Sequence, residues 1–360
     1  GLSNIQSRVE RKRRVVEDTT SMVKNIKADI AKLAKKSTTH LNKLYNGLLE
    51  SVKDGEAKLY LAEPLLAEAG FMLQKLENFE SLWFMYSKSD NYGETFSIPI
   101  QINYLGYPGT MGSNFMDYIV ADRFLIPSES QKYFNEKKLY LPNTYLPTDN
   151  SRELSKKKIT RSDMGLPDDA FVFCCFNNNY KISPNEFDIW MRLLTKVPNS
   201  VLWLRQSNQL SNINMKNEAQ KCKIDPSRLV FADKVPIDEH LARQKLADLF
   251  VDTFAFNAHT TASEALWAGL PVVTKVGLGF AARVAGSLLN AVGLPELVTD
   301  TEQDYEELIL ELATHPTKLA EIKEKLATNR LTQPLFNTDL YTKHLESGYL
   351  QAYESYFQGN

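Results

Sequence analysis

The residues best suited to chemistry lie in the stretch 256–274, which reads FNAHTTASEALWAGLPVVT. His259, Thr260 and Thr261 stand just before an apolar segment with a helical pattern. Unpaired N–H groups and the helix dipole favour a phosphate at a helix start, and these side chains can add hydroxyl and imidazole donors. Glu264 shares a helix face with Thr260, about 6 Å farther along the axis, where a carboxylate suits a ribose diol. The stretch predicts a phosphate site, with an ordinary threonine-capped helix as the alternative.

A second polar cluster lies in the stretch 173–184, which reads FCCFNNNYKISP. A buried strand ends here in three asparagines, which are followed by a tyrosine and a lysine. Lys181 can place an ammonium group at the carboxyl end of the strand and offset the charge of a leaving phosphate. Asn178 could donate an amide hydrogen bond at the same place. An asparagine-rich turn with a solvated lysine is the alternative.

A third candidate lies in the stretch 234–253, which reads KVPIDEHLARQKLADLFVDT. His240 and Arg243 are three residues apart in a helical pattern and therefore share a face. A flat imidazole and a planar guanidinium group could stack on a pyrimidine base and hydrogen-bond to it. A solvated helix face is the alternative interpretation.

Several familiar ligand motifs do not occur in the sequence. There is no Asp-x-Asp motif, no P-loop, no complete G-x-G-x-x-G, and no His/Cys cluster with metal-ligand spacing; the nearest approach is GLGFAA at 277–282. These absences make ATP or a dinucleotide a less expected cofactor. We expect Lys181 and the helix start to meet the phosphate charge without a metal ion.

These residues require a scaffold that brings strand ends together. Short apolar strands alternate with helical patterns between 170 and 274; the strands read AFVFCCF, SVLWLRQ, RLVFAD, LFVDTF and PVVT. This alternation predicts parallel βαβ units and a Rossmann-like, doubly wound α/β sheet. Such sheets bind ligands at the carboxyl ends of their strands, which is where the three candidate clusters lie. Predicted helices near 302–313, 317–328 and 337–356 close the chain.

Residues 1–95 differ in character and are predicted to form an α-helical, amphipathic N-terminal segment. The segment carries a basic cluster made up of Arg8, Arg11, Lys12, Arg13 and Arg14. Such a cluster would allow contact with an anionic membrane surface, although a solvated helix face is the favoured interpretation. The composition shift also fits a separate module joined by fusion.

Composition sets broad bounds on the protein. The chain has 360 residues, a formal net charge of −2 and 43% hydrophobic residues, which suit two globular domains and do not indicate a nucleic-acid partner. The three cysteines suggest a reducing compartment without disulfides, hence a cytoplasmic and also a nuclear location. No apolar run reaches the roughly 20 residues that span a bilayer.

The candidate clusters also carry a family resemblance. Residues 98–360 resemble the C-terminal half of the protein O-GlcNAc transferase family. The motifs that carry the resemblance are, in chain order, LGYPGTMG, FMDYIVAD, FNNNYKISP, VPNSVLWLR, DEHLARQKLADLFVDT, NAHTTASEALWAGLPVVT and PLFNTDLY. The resemblance implies a GT-B type fold. It also implies metal-independent, inverting transfer of N-acetylglucosamine from UDP-GlcNAc to Ser or Thr of proteins, with no cofactor.

The resemblance assigns roles to the candidate residues. Lys181 resembles the lysine that contacts the diphosphate, and Asn178 stands near the phosphate. The segment 259–261 resembles the diphosphate-binding stretch, and Glu264 the ribose position, where the family commonly has Asp. The residues placed at the uracil base are His240, Arg243 and Val235. The loop beside the sugar is represented by Leu105, Gly106, Pro108, Gly109 and Thr110.

The chain also departs from the family pattern. No recognisable counterpart exists for most of the N-terminal catalytic lobe, including its acceptor-side histidine, since His40 lies in the helix-like KSTTHLNKL. The tetratricopeptide array is absent as well. We interpret 96–158 as a remnant of that lobe with a linker, and 159–360 as the UDP-sugar-binding lobe. Two functions remain open: a truncated transferase, or an inactive UDP-binding or scaffold protein whose helical N-terminus mediates assembly or membrane contact.

Overall fold

The computed structural model describes residues 100–114 and 116–358. The chain divides into two units, Gly1–Ile98 and Pro99–Asn360, and the described residues all belong to the second. The predicted helical segment 1–95, with its basic cluster, lies outside the described residues. In the described part, no helix is both long and apolar enough to cross a membrane.

A small parallel sheet comes first in the described chain. Its strands, in spatial order, are β1 (Ile102–Asn103), β2 (Tyr118–Ala121) and β3 (Lys137–Tyr140). Strand β2 pairs with β3 so that Val120 lies opposite Leu139. These two residues, together with Leu141, form a small buried apolar cluster. The strand β3 was not predicted, because its first half is the polar pair Lys-Lys.

A six-stranded parallel sheet forms the centre of the larger core. Its strands are β4 (Phe171–Cys175), β5 (Ser200–Arg205), β6 (Leu229–Ala232), β7 (Leu249–Val251), β8 (Val272–Lys275) and β9 (Val298–Thr299). They lie in the order β6-β5-β4-β7-β8-β9. The central strands are buried along nearly their whole length, which explains why they read as continuous apolar runs. The order reverses direction between β4 and β7, so the predicted doubly wound sheet is confirmed, with its switch point between these strands.

Eight α-helices connect and cover the strands in the described chain. They are α1 (Pro184–Lys196), α2 (Gln209–Lys221), α3 (Ile237–Arg243), α4 (Thr260–Ala268), α5 (Val284–Ala291), α6 (Glu302–Thr314), α7 (Pro316–Thr332) and α8 (Thr338–Phe357). The three predicted closing helices correspond to α6, α7 and α8. Helix α5 was not predicted, because all but one of its eight residues are buried and it shows no polar face.

Helix α4 lies within the stretch 256–274, and its two ends are formed in different ways. His259 occupies the N-cap position, and no side chain caps the helix. The far end is terminated by Gly269, whose φ of 88° lies in the left-handed region that favours glycine. The Leu270 N–H then bonds to the Ala265 carbonyl at 2.8 Å. The chain therefore leaves α4 at once and enters β8.

The last helix joins the two sheets. Helix α8 returns to the small sheet, where the Tyr341 hydroxyl donates to the Tyr145 carbonyl at 2.7 Å and lies 2.5 Å from the Tyr104 hydroxyl. A second link is made by the buried Asp122, which accepts a 2.6 Å bond from Ser287 of α5. From residue 100 onward, the segment 96–158, predicted as a remnant of the N-terminal lobe with a linker, packs in one compact unit with the larger sheet.

Candidate functional site

A cleft of about 470 Å³ opens at the carboxyl ends of β4, β5 and β6, beside the switch point. Seven predicted residues line it: Asn178, Lys181, Val235, His240, Arg243, Thr261 and Glu264. They come from the turn after β4, from the segment β6–α3 and from the first turns of α4. The doubly wound topology therefore brings together three clusters that are far apart in sequence.

Lys181 bridges the two halves of the sheet at the switch point. It lies on the short turn Asn179–Lys181 that follows β4. Its Nζ donates to the Asn257 carbonyl at 3.2 Å and lies 3.9 Å from the Phe256 ring centroid, where the aromatic face attracts a cation. Burial lowers the pKa of Lys181, and the nearby Asp252 opposes this effect. The ammonium is therefore held between the loops that follow β4 and β7.

A fully buried carboxylate, Asp252, organises those loops. It accepts hydrogen bonds from Asn177 Nδ2 at 3.1 Å, from the Ala258 N–H at 2.7 Å and from Thr274 Oγ1 at 2.7 Å. Burial raises its pKa to about 6, against the lowering effect of these donors. Three segments are thereby tied to one group: the turn after β4, the loop after β7 and strand β8. Neither Asp252 nor Asn177 was identified from sequence.

His259 is held away from the donor role expected of it. Its Nε2–H donates to the Ala281 carbonyl at 3.1 Å, and its ring stacks on Phe256 with centroids 4.5 Å apart. Burial lowers its pKa to about 4, so the ring is neutral near pH 7 and its other nitrogen, Nδ1, can only accept. The imidazole therefore offers no N–H to an anion, and the first-turn backbone N–H groups remain as donors at this helix start.

The two threonines of the motif differ in their surroundings. Thr261 Oγ1 donates to Asn177 Oδ1 at 2.5 Å, which completes the hydrogen bonding of that buried amide carbonyl. Thr260 is exposed and faces a small neighbouring cavity instead of the cleft. The threonine-capped helix considered as an alternative is not present, because no side chain caps α4.

His240 and Arg243 form a rigid pair on α3 at the other end of the cleft. Arg243 Nη2 donates to His240 Nδ1 at 2.9 Å, and Nη1 donates to the Asp233 carbonyl at 2.6 Å. The His240 ring packs on Phe176 with centroids 5.1 Å apart. Burial first, and then Arg243 and Arg205, lower the pKa of His240 to about 4. The ring is therefore neutral near pH 7 and carries its proton on Nε2.

Glu264 lies between the imidazole ring of His240 and Arg152, a residue that was not identified from sequence. One carboxylate oxygen is 3.7 Å from His240 Nε2, and the other accepts from Arg152 Nη1 at 3.1 Å. Burial raises the pKa of Glu264, and Arg152 opposes this effect. The predicted ribose-binding carboxylate is therefore already paired with a cation in this structure.

The predicted sugar-side loop follows β1 and is held by the small sheet. Leu105 has a φ of 66°, an uncommon conformation for a leucine. Asn103 Nδ2 donates to the Gly109 carbonyl at 2.8 Å, and Thr110 Oγ1 donates to the buried Glu136 at 2.6 Å. The residues lining the cleft in the described chain do not include any of the five predicted for this loop, which are Leu105, Gly106, Pro108, Gly109 and Thr110.

Comparison with known protein families identifies the chain. Residues 91–159 and 149–345 match the family described as glycosyl transferase family 41. The chain belongs to that family. The resemblance found in the sequence motifs is therefore confirmed.

Individual relatives of this family 41 chain carry consistent names. It is 37% identical over 267 residues to the probable UDP-N-acetylglucosamine–peptide N-acetylglucosaminyltransferase SEC of Arabidopsis thaliana, covering 72% of this chain and 27% of that protein. It is 27% identical to the UDP-N-acetylglucosamine–peptide N-acetylglucosaminyltransferase of Caenorhabditis elegans, covering 72% of this chain and 32% of the relative. The chain thus spans about a third or less of the length of these relatives.

A solved structure also resembles this family 41 chain. It is a mutant of the Thermobaculum terrenum O-GlcNAc transferase, with 28% identity and a TM-score of 0.66. The match covers 72% of this chain and 49% of that one. Together with the parallel sheet described above, this match supports the expected GT-B type lobe.

The functional residues missed from sequence share one property. Asn177, Phe256 and Arg152 contact predicted residues, and Asp252 in turn accepts a hydrogen bond from Asn177. The four do not themselves form a recognisable motif. Asp252 looked like the polar end of a strand, and Arg152 like one of several cations in a basic linker. A weak signal existed for Asp252, because it is the one charged residue in the largely apolar LFVDTF.

Proposed function

We propose that this family 41 chain binds UDP-GlcNAc in the cleft and transfers N-acetylglucosamine to Ser or Thr hydroxyls of proteins. One observation carries the proposal. The Lys181 ammonium and the start of α4, which has no side-chain cap, lie at the switch point. The neutral His240, paired with Arg243, occupies the far end of the same cleft. The names of the relatives, which specify a UDP-N-acetylglucosamine donor and a peptide acceptor, support this choice.

The charges in the cleft suit the departure of a diphosphate. In the proposed reaction a hydroxyl oxygen attacks the anomeric carbon, the bond from that carbon to the diphosphate breaks, and the configuration inverts. The electron pair leaves with UDP, and the hydroxyl proton passes to a base. Lys181 and the first-turn N–H groups of α4 would stabilise the added negative charge where it develops. We expect the reaction to need no metal ion or other cofactor, and to take place in the cytoplasm or nucleus.

Binding of UDP by calorimetry tests the donor site. We expect Lys181→Ala to weaken UDP binding by about 10- to 100-fold, since one charge-assisted contact to the diphosphate is lost. The control is Lys156→Ala, which removes an exposed lysine of the segment before β4 and should leave the affinity unchanged. Adding EDTA should not alter binding. Failure of the wild-type chain to bind UDP would refute the proposal.

A second candidate is a UDP-binding protein without transferase activity. One observation favours it: both histidines at the site are engaged through one ring nitrogen. Transfer of labelled sugar to an acceptor peptide separates the candidates. Tight UDP binding with neither transfer nor donor hydrolysis would establish the non-catalytic function.

A further inference from the structure

Arg152 contacts Glu264 from the side away from the cleft, and it belongs to neither the large sheet nor the helices. Arg152 is in the polar segment before β4, 112 residues from the glutamate it contacts. Its backbone carbonyl accepts a 3.0 Å hydrogen bond from the Trp267 indole N–H of α4. Its Nε is also 3.5 Å from Asp149. The segment is thus fixed to α4, and its guanidinium group is aimed at Glu264.

Four charged or titratable groups follow one another from this arginine into the cleft. Arg152 contacts one oxygen of Glu264, the other oxygen faces His240 Nε2, and His240 Nδ1 accepts from Arg243. The carboxylate is largely shielded, with 12% of its side chain exposed, and the imidazole is similar at 16%. Glu264 lines both the cleft and the small cavity beside it. Arg152 lines only the small cavity, and its side chain reaches the wall of the cleft through Glu264.

We propose that Arg152 is a positioning residue of the nucleotide site, which keeps Glu264 ionised and aimed at His240 so that His240 stays neutral in its Nε2–H form. The inference rests on the proposed function. The reason is electrostatic: a largely buried carboxylate without a counter-ion either takes up a proton or shares one with the nearest base. The nearest base here is the imidazole of His240.

The titration of this pair depends on every charged group that faces it. Arg152 and, behind it, Asp149 face Glu264 from the preceding segment, while His240 faces it from α3. Lys181 lines the same cleft from the turn after β4, and Arg205 lines it from the end of β5 and also lowers the pKa of His240. With Arg152 present, two cations bracket the pair, because Arg243 lies on the far side of the imidazole. Removing Arg152 leaves the carboxylate facing the ring without its counter-ion, so the pair should take up a proton at higher pH.

The experiment compares Arg152→Met with Lys158→Met, a control at an exposed lysine of the same segment. The first readout is the pH titration of the His240 ring nitrogens by NMR on histidine-labelled protein, assigned with His240→Gln and recorded without nucleotide. The second readout is the UDP dissociation constant at pH 7. We expect Arg152→Met to move the His240 titration to higher pH and to weaken UDP binding about tenfold, the factor typical of one charge-assisted hydrogen bond.

Two further variants test the route of the effect. Arg152→Lys keeps the positive charge and should restore most of the wild-type titration and affinity. In a Glu264→Gln background, adding Arg152→Met should change neither readout, because the carboxylate through which Arg152 acts is gone. Thermal melting checks folding, and Arg152→Gln, which keeps a donor without the charge, carries the same comparison if Arg152→Met does not fold.

The outcomes separate this inference from the proposed function. If Arg152→Met behaves like Lys158→Met in both readouts, or if its effect persists without the Glu264 carboxylate, the inference is wrong while the donor site stands. If the wild-type chain does not bind UDP, the proposed function fails and the nucleotide part of this inference fails with it. The nucleotide-free NMR titration then still decides whether Arg152 controls the Glu264–His240 pair.

Discussion

Both histidines near the cleft are neutral, and each has one ring nitrogen committed to a partner. His240 accepts from Arg243, whereas His259 donates to the Ala281 carbonyl. The sequence could predict that these residues gather, since each lies close after the end of a parallel strand. It could not predict which nitrogen carries the proton, because the partner of His259 lies 22 residues farther along the chain and the choice depends on tertiary packing.

The neighbouring threonines, Thr260 and Thr261, should respond differently to the same change. Thr261→Val removes the hydroxyl that satisfies the buried Asn177 carbonyl, so we expect a loss of about 1–3 kcal/mol in the free energy of unfolding. Thr260→Val alters an exposed side chain and should cost less than about 0.5 kcal/mol. Urea denaturation measures both. Equal losses for the two variants would contradict the assigned role of Thr261.

Asp252 should make stability depend on pH in an unusual direction for a carboxylate. Its pKa is about 6 in the folded protein, above the ordinary value of 3.8, so the folded state binds this proton more tightly than the unfolded state. The stabilisation is fully present below about pH 4 and is lost as pH rises through about 6. The pKa shift corresponds to a contribution on the order of 3 kcal/mol to the free energy of unfolding, present at low pH and absent at high pH.

Comparing wild type with Asp252→Asn isolates this effect. From pH 4 to pH 7, the unfolding free energy of the wild type should fall relative to that of the variant. Asp169→Asn, at an exposed position, should follow the wild type at every pH. A difference between wild type and Asp252→Asn that does not change with pH would show that the carboxylate is not responsible.

At the scale of the element, the sequence predicted the amphipathic helices and the buried strands of the large sheet. The patterns failed where an element is buried on all sides or very short. Helix α5 is buried on nearly every side and packs against β8, while β9 has only two residues. Periodicity detects a boundary between core and solvent, and these elements do not have one.

The end of α4 gives a prediction about backbone conformation alone. At Gly269 an added Cβ would meet nothing closer than Arg330 Nη1 at 3.9 Å, so Gly269→Ala should suffer only the strain of a positive φ. We expect a loss of about 1 kcal/mol in the free energy of unfolding. Gly279→Ala is the control, because Gly279 has a φ of −84° and open space around it. Thermal or urea denaturation should show no loss for the control.

At the scale of the whole molecule, the two sheets depend on contacts that span most of the described chain. The Tyr341 hydroxyl contacts Tyr104, just after β1, and the Tyr145 carbonyl, in the segment after β3. Thr338 Oγ1 donates to the Thr148 carbonyl at 3.1 Å. The sequence predicted α8 as a helix, but it could not predict this destination. No local pattern encodes which surface a terminal amphipathic helix will cover.

The tightest point of this contact is Gly348 of α8. A Cβ there would overlap the side chain of Leu139 on β3, whose Cγ would lie 3.1 Å away. Gly348→Ala should therefore lower the free energy of unfolding by about 1–3 kcal/mol through overpacking. Ser347→Ala, at an exposed position of the same helix, is the control. In a double-mutant cycle, Leu139→Ala should relieve the cost of Gly348→Ala, and strictly additive losses would contradict the contact.

The large sequence separation between β3 and α8 has a consequence for folding during synthesis. Leu139 and Leu141 leave the ribosome roughly 200 residues before α8. At ordinary synthesis rates, the ribosome needs roughly 10 to 40 seconds to make those intervening residues. Through that interval the apolar face that Ala352 will later cover has no native partner. Nascent chains in this state attract one another, so the yield of native protein should depend on chaperones that shield the face until the last helix emerges.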